Sequence, residues 1–144
     1  MSETRRFSLV KPTLETPFSI DFDWWKQHDN NWRVYLVGYL CPEHQSAFQG
    51  SDQDVWIDWI DPETAEVRLV DGLQNVLMSH CARQEDFLTR NTTLVDSVFR
   101  VLLSHGNEPM TVVQLGEAIN RPAETILRTL TGMQVYKGIR PRHG

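Results

Sequence analysis

The sequence predicts an α+β protein in which N-terminal helices and a β-hairpin precede a C-terminal unit of three short helices. Three observations lead there. Apolar residues return at helical spacing in several stretches. One segment, 55–70, is rich in aromatic and β-branched residues and is broken by turn chemistry. The composition, 40% hydrophobic, 10% aromatic and 23% charged, is that of a chain with a core to bury. A length of 144 residues suits one domain, or two small ones sharing an interface.

Residues 1–20 hold Pro12 and Pro17 without sustained periodicity and read as a flexible or extended arm. Residues 22–40 read as helix in two pieces, with Asp29, Asn30 and Asn31 as breaker and cap. After the break, Trp32, Tyr35, Leu36, Tyr39 and Leu40 fall on one helical face. Pro42 opens a short helical turn that runs to about Phe48. Gln49 to Asp52 form a loop. Val55–Ile60 and Glu66–Val70 then make a hairpin around Asp61-Pro62-Glu63-Thr64, where proline takes the second turn position. Asp71-Gly72 ends it. From Leu73 to about Arg83 a helix follows, with Leu73, Val76, Leu77 and His80 on one side. These elements make up a mixed α/β region over 21–90.

Glu85 to Thr93 is short and polar, and is the predicted boundary, with Asn91 or Thr92 capping the next helix. In that helix Leu94, Val95, Val98, Phe99, Leu102 and Leu103 form an apolar stripe about three turns long. Gly106-Asn107 stops it, because both residues tolerate positive φ. Thr111 and Gln114 fit a capping box, and the helix behind them presents Val112, Leu115 and Ile119. Gly116 leaves room for a close crossing. Asn120-Arg121 makes a turn, and Pro122 supplies the φ favoured at a first helical position. The third helix turns Ile126, Leu127 and Leu130 inward and ends at Gly132. Val135–Arg140 is one strand, or part of a small wing.

The stretch from Thr111 to Leu130 resembles the second helix, turn and recognition helix of the helix-turn-helix superfamily, in its winged-helix branch. The resemblance spans about residues 94–140, within a C-terminal unit of 91–144. It implies a winged-helix-like fold whose third helix enters a DNA major groove and touches bases with its N-terminal residues. By position these are Arg121, Ala123, Glu124, Thr125 and Arg128. Lys137 and Arg140 would lie on the wing near phosphates, with Arg142 beside them. The chain departs from the pattern in a thinly basic recognition helix, with Glu124 near its tip, and in a short wing. Many winged helices bind proteins instead.

The net charge of −5 is unevenly spread. Residues 94–144 carry six Lys/Arg against four acids, a balance of +2, while 1–93 carry eight against fifteen, −7. From Arg121 onward, five basic residues face only Glu124. A basic end on an acidic protein fits a nucleic-acid module joined to something else, and equally fits a basic tail. The expected function is that of a transcription regulator or adaptor, whose partners are double-stranded DNA or a protein. Self-association is compatible with it. No apolar run approaches the roughly 20 residues that span a bilayer, and the first residues lack a signal-peptide layout. The expected location is cytoplasmic, where Cys41 and Cys81 stay reduced.

Cys41-Pro42-Glu43-His44 is a C-x-x-H pair, and His80-Cys81 is a second pair further on. Two thiolates and two imidazoles make a tetrahedral set for Zn²⁺. Neighbours on a helix diverge by about 100°, so His80 and Cys81 can share one ion only where the helix frays. A site of Cys41, His44 and Cys81 needs less distortion and leaves a position open for water or substrate, the one route to a small zinc enzyme. An iron–sulfur cluster on the same residues is a further reading. The plain alternative is two buried cysteines acting as small hydrophobes.

No catalytic residues are assigned. Phosphate-loop, G-x-S-x-G and H-E-x-x-H patterns are absent, and Asp58, Asp61 and Glu63 sit around a turn that explains Asp61. Trp24 and Trp25 cannot both face one core, and Trp56 and Trp59 point to opposite faces of a strand. At least one tryptophan is therefore exposed as a protein-binding patch, or covered by a neighbouring element.

Overall fold

A computed structural model describes residues 11–48, 56–88, 93–132 and 134–142. The helices are α1 (Phe22–His28), α2 (Trp32–Val37), α3 (Pro42–Phe48), α4 (Gly72–Ser79), α5 (Leu94–Ser104), α6 (Val112–Ile119) and α7 (Ala123–Leu130). The strands are β1 (Pro17–Ile20), β2 (Trp56–Ile60), β3 (Val67–Asp71), β4 (Met110–Thr111) and β5 (Ile139–Pro141). The class is α+β, as the periodicities predict. The break at Asp29–Asn31, the helix from Pro42, the hairpin and the three C-terminal helices all lie where the sequence puts them. The loop at 49–52, Val55 and the first ten residues of the arm lie outside the described residues.

The end of the arm is not free. Pro17–Ile20 is the central strand of an antiparallel sheet ordered β4-β1-β5. Phe18 lies opposite Met110 and Pro141, and Ile20 opposite Ile139. Phe18, Ser19 and Ile20 are all buried. Asn107 stops α5 with φ 61° as expected, and also extends the pairing. Its Oδ1 accepts from Ile20 N at 2.7 Å and its Nδ2 donates to Ile20 O at 2.8 Å. The strand expected over 135–140, alone or as part of a small wing, begins only at Ile139 and pairs with β1. β2 and β3 form a separate two-stranded ladder, with Trp56 opposite Asp71 and Ile60 opposite Val67.

Helix α5 is the hub. Its N-cap is Thr93, whose side chain accepts from Asp96 N; the expected caps Asn91 and Thr92 lie outside the described residues. Val98, Phe99, Val101, Leu102 and Leu103 are buried, so more than the predicted stripe is covered. One core cluster runs from Phe18 through Trp25, Leu36, Leu77 and Phe99 to Ile126 and Ile139. Arg100 is buried as well. It bonds Asp96 at 2.8 Å and the Phe87 carbonyl at 3.3 Å, with its guanidinium 4.8 Å from the ring centroids of both Tyr39 and Phe87. The Tyr39 hydroxyl donates to Asp96. Burial and that bond push the Tyr39 hydroxyl far above its ordinary range.

Burial works against ionisation of Asp96, but the bonds from Tyr39 and Arg100, with the Arg100 charge, hold its carboxyl below the ordinary value. A lowered folded pKa gives stability that is complete above the unfolded value of about 3.9 and is lost as pH falls through the folded one. Asp96→Asn is therefore less stable than wild type near neutrality, and the gap narrows below about pH 4. Urea midpoints against pH test this, and a gap constant with pH contradicts it.

The C-terminal helices meet around the predicted turn. The Thr111/Gln114 capping box is formed, and Asn120 sits in the left-handed region at φ 58°. Pro122 is the N-cap of α7, one position earlier than expected, because its ψ of 133° is extended. Ile126 and Leu130 are buried, and Leu127 packs against the core from a half-buried position. A Cβ on Gly116 would stand 2.6 Å from the backbone oxygen of Arg121. Gly116→Ala thus lowers the melting temperature, since overpacking costs about 1–3 kcal/mol against a helix-propensity gain of about 1. An unchanged or raised melting temperature contradicts the close approach.

Candidate metal centre

Cys41, His44, His80 and Cys81 converge, with one ligand atom from each lying within 4.8 Å of the others. Local chain geometry makes each pair. Cys41 precedes Pro42, and its carbonyl accepts from His44 N at 3.0 Å and Gln45 N at 2.9 Å. The C-x-x-H spacing thereby spans the first turn of α3, which puts Sγ of Cys41 3.1 Å from Nδ1 of His44. On the other side, α4 ends at Ser79 instead of running to Arg83. His80 takes φ −129° and ψ −65°, and Cys81 opens a 3₁₀ turn to Arg83. His80 thus leaves the apolar side where it was expected with Leu73 and Leu77 and is exposed. That departure removes the divergence of neighbouring helical side chains. His80 and Cys81 can then face one point.

Zinc bond lengths of about 2.3 Å to sulfur and 2.0–2.1 Å to nitrogen, at tetrahedral angles, put two sulfurs about 3.8 Å apart and sulfur about 3.6 Å from nitrogen. Here Cys41 and Cys81 sulfurs are 3.5 Å apart. Cys41 Sγ lies 3.7 Å from His80 Nδ1, and Cys81 Sγ 3.6 Å from His44 Nδ1. The imidazoles meet edge-on, with centroids 4.6 Å apart and planes at 72°. Both cysteines are free thiols. The four residues can hold a metal ion, and a set of thiolates and imidazoles without carboxylate suits zinc-like metals over magnesium or calcium. Cys81 is 1% exposed, and burial pushes its thiol up to about 11. Only a neighbouring cation makes such a thiol a thiolate at neutral pH.

Asp71 links the two halves of the cluster. It ends β3 and caps α4, accepting from Leu73 N at 2.9 Å and Gln74 N at 3.2 Å. Its second oxygen accepts from Arg33 of α2 at 2.7 Å. The helix leading to Cys41 is thereby tied to the helix leading to His80.

The eight residues expected at DNA divide into two groups. Arg121, Glu124 and Arg128 are exposed at the turn and on α7, with Ala123 and Thr125 half-buried among them. The others are engaged inside the protein. The Lys137 ammonium lies over the rings of Tyr35, Tyr39 and Phe99. Arg140 pairs with Asp21 at 3.1 Å and covers Trp24, and Arg142 donates to Ser19 Oγ at 3.1 Å. Trp25 and Trp32 are buried, Trp24 is half-buried, and Tyr35 is 50% exposed despite its place on the predicted apolar face. The side chains of Trp56 and Trp59 lie outside the described residues. Asp61 accepts from Glu63 N and Thr64 N, as a turn residue does. Sequence reasoning missed the Tyr39–Asp96–Arg100 network, whose only local sign is the four-residue spacing of Asp96 and Arg100.

No helix among the described residues is long and apolar enough to cross a membrane. Comparison of the chain with models of known families, with curated proteins and with solved structures finds no match.

Proposed function

We propose that the chain is a zinc-stapled adaptor- or regulator-like protein, in which Cys41, His44, His80 and Cys81 hold one structural Zn²⁺ and a winged-helix-like C-terminal unit docks a partner protein. The convergence of four ligand atoms within 4.8 Å carries the reading. A full set of four protein ligands leaves no place for water or substrate, which favours a structural ion over a catalytic one. Cobalt tests it. Co²⁺ added to the metal-free chain gives the strong visible bands of a tetrahedral thiolate site, lost in His80→Ala. Weak octahedral bands, or bands unchanged in that variant, overturn it.

The winged-helix-like reading is supported by the order α5, β4, α6, α7, β5, and by the left-handed turn at Asn120. A protein partner is favoured over DNA because Lys137, Arg140 and Arg142 have partners within the protein. Glu117 and Glu124, near Arg121 and Arg128 in the chain, are exposed as well. Two exposed arginines neutralise few phosphates. The expected result is no saturable binding to duplex DNA at about 50 mM salt. Binding that falls steeply with salt and is weakened by Arg128→Ala would replace docking by DNA recognition.

A further inference from the structure

We propose that the cleft between α1 and the segment entering β5 binds a small planar anion, a ring bearing a carboxylate or a phosphate. The cleft has a volume of about 370 Å³, within the range of small-molecule sites. Trp24, Trp25 and His28 line it from α1, Tyr35 from α2, and Tyr136 and Lys137 from the far side. It shares no residue with the Cys/His cluster and does not depend on a metal there.

Lys137 sets the ligand's charge. Its ammonium is 5.5 Å, 5.6 Å and 5.9 Å from the ring centroids of Tyr35, Tyr39 and Phe99. Rings favour the charge but do not satisfy the three N–H donors. The Asp96 carboxylate feels this charge, but among the described residues no hydrogen bond reaches the ammonium, so its donors are left to solvent or to a ligand's oxygens. The backbone holds it there at some cost. Lys137 has φ 50° and Gly138 φ 72°, and non-glycine residues at positive φ concentrate at ligand sites. Gly138 fixes the position: its carbonyl accepts from Asp21 N at 2.7 Å, and a Cβ would come within 2.9 Å of the Asp21 oxygen.

The ring surfaces set the ligand's shape. Tyr35 is half exposed and stacks on Trp25, with centroids 6.2 Å apart and planes at 30°. Two other polar side chains at the rim bond their own turn and helix: Asp29 accepts from Asn31 N at 2.8 Å, and His28 Nδ1 lies 2.7 Å from the Trp24 carbonyl. A cationic ligand does not fit, because the Lys137 ammonium repels it. A flat ring that meets the half-exposed Tyr35 edge-on, with its anion on Lys137, uses both groups.

Calorimetric titration of the full chain tests this with four probes: indole-3-carboxylate, adenosine monophosphate, adenosine and inorganic phosphate. One of the first two binds saturably, at least about tenfold tighter than the neutral ring or the ringless anion, as a charge-assisted hydrogen bond implies. Which one binds assigns the carboxylate or the phosphate. Lys137→Asn keeps a residue that tolerates positive φ and loses the charge, and it weakens binding about tenfold. Tyr35→Ala weakens it with little change in melting temperature. No saturable binding of either charged ring, equal affinity for charged and neutral rings, or an unchanged Lys137→Asn overturns the proposal.

Discussion

Removing the metal lowers the melting temperature by on the order of 10 °C, and zinc or cobalt restores it. The magnitude comes from linkage. An ion that binds only the folded chain, at a thousandfold excess over its dissociation constant, stabilises by about 4 kcal/mol. The metal joins Cys41 and His44 to His80 and Cys81, and so closes the segment that carries α3, the hairpin and α4. Secondary structure over α5–α7 therefore persists in the metal-free chain. Cys81→Ser changes a fully buried position and lowers stability for packing reasons as well. His80→Ala changes an exposed one, and its melting temperature matches that of metal-free wild type. If chelation leaves the melting temperature unmoved, the ion is not a staple.

Asp71→Ala destabilises by about 3–5 kcal/mol, the range for breaking one side of a buried ion pair. Both partners lie under a tenth exposed, at 7% and 8% for the side chains of Arg33 and Asp71. Loss of the carboxylate removes this counter-charge from a buried guanidinium. It also removes the α4 cap, which is worth about 1 kcal/mol by itself. Asp71→Asn keeps an acceptor for the cap and loses the charge, so it falls between wild type and alanine. Chemical denaturation measures all three. Metal retention changes in the same order, because this carboxylate holds α2 against α4 and thereby sets the spacing of the two ligand pairs. An alanine variant as stable as wild type contradicts the assigned role.

Helices, hairpin and caps were legible because their causes are local. The Thr111/Gln114 box, the left-handed Asn107 and Asn120, and the Asp61 turn are each written within a few residues. β1 was not legible. Phe18-Ser19-Ile20 is a short apolar run between a proline and a helix cap, and its partners Met110 and Ile139 lie at the other end of the chain. Nothing near Pro17 announces a central strand. The metal centre was half legible. C-x-x-H spans one helical turn by spacing alone, whereas the second pair depends on α4 ending at Ser79, with no glycine or proline there to mark the stop. The partners of the basic residues were not legible for a similar reason: Tyr35 under Lys137 and Asp21 beside Arg140 are distant in sequence.

Elemental analysis of the purified full chain, with Cys81→Ser beside it, tests the metal centre most directly. About one zinc per chain, absent from the variant, is the predicted result. A wild-type chain that neither carries nor takes up a divalent metal, and whose Cys41 and Cys81 are both freely alkylated under native conditions, contradicts it.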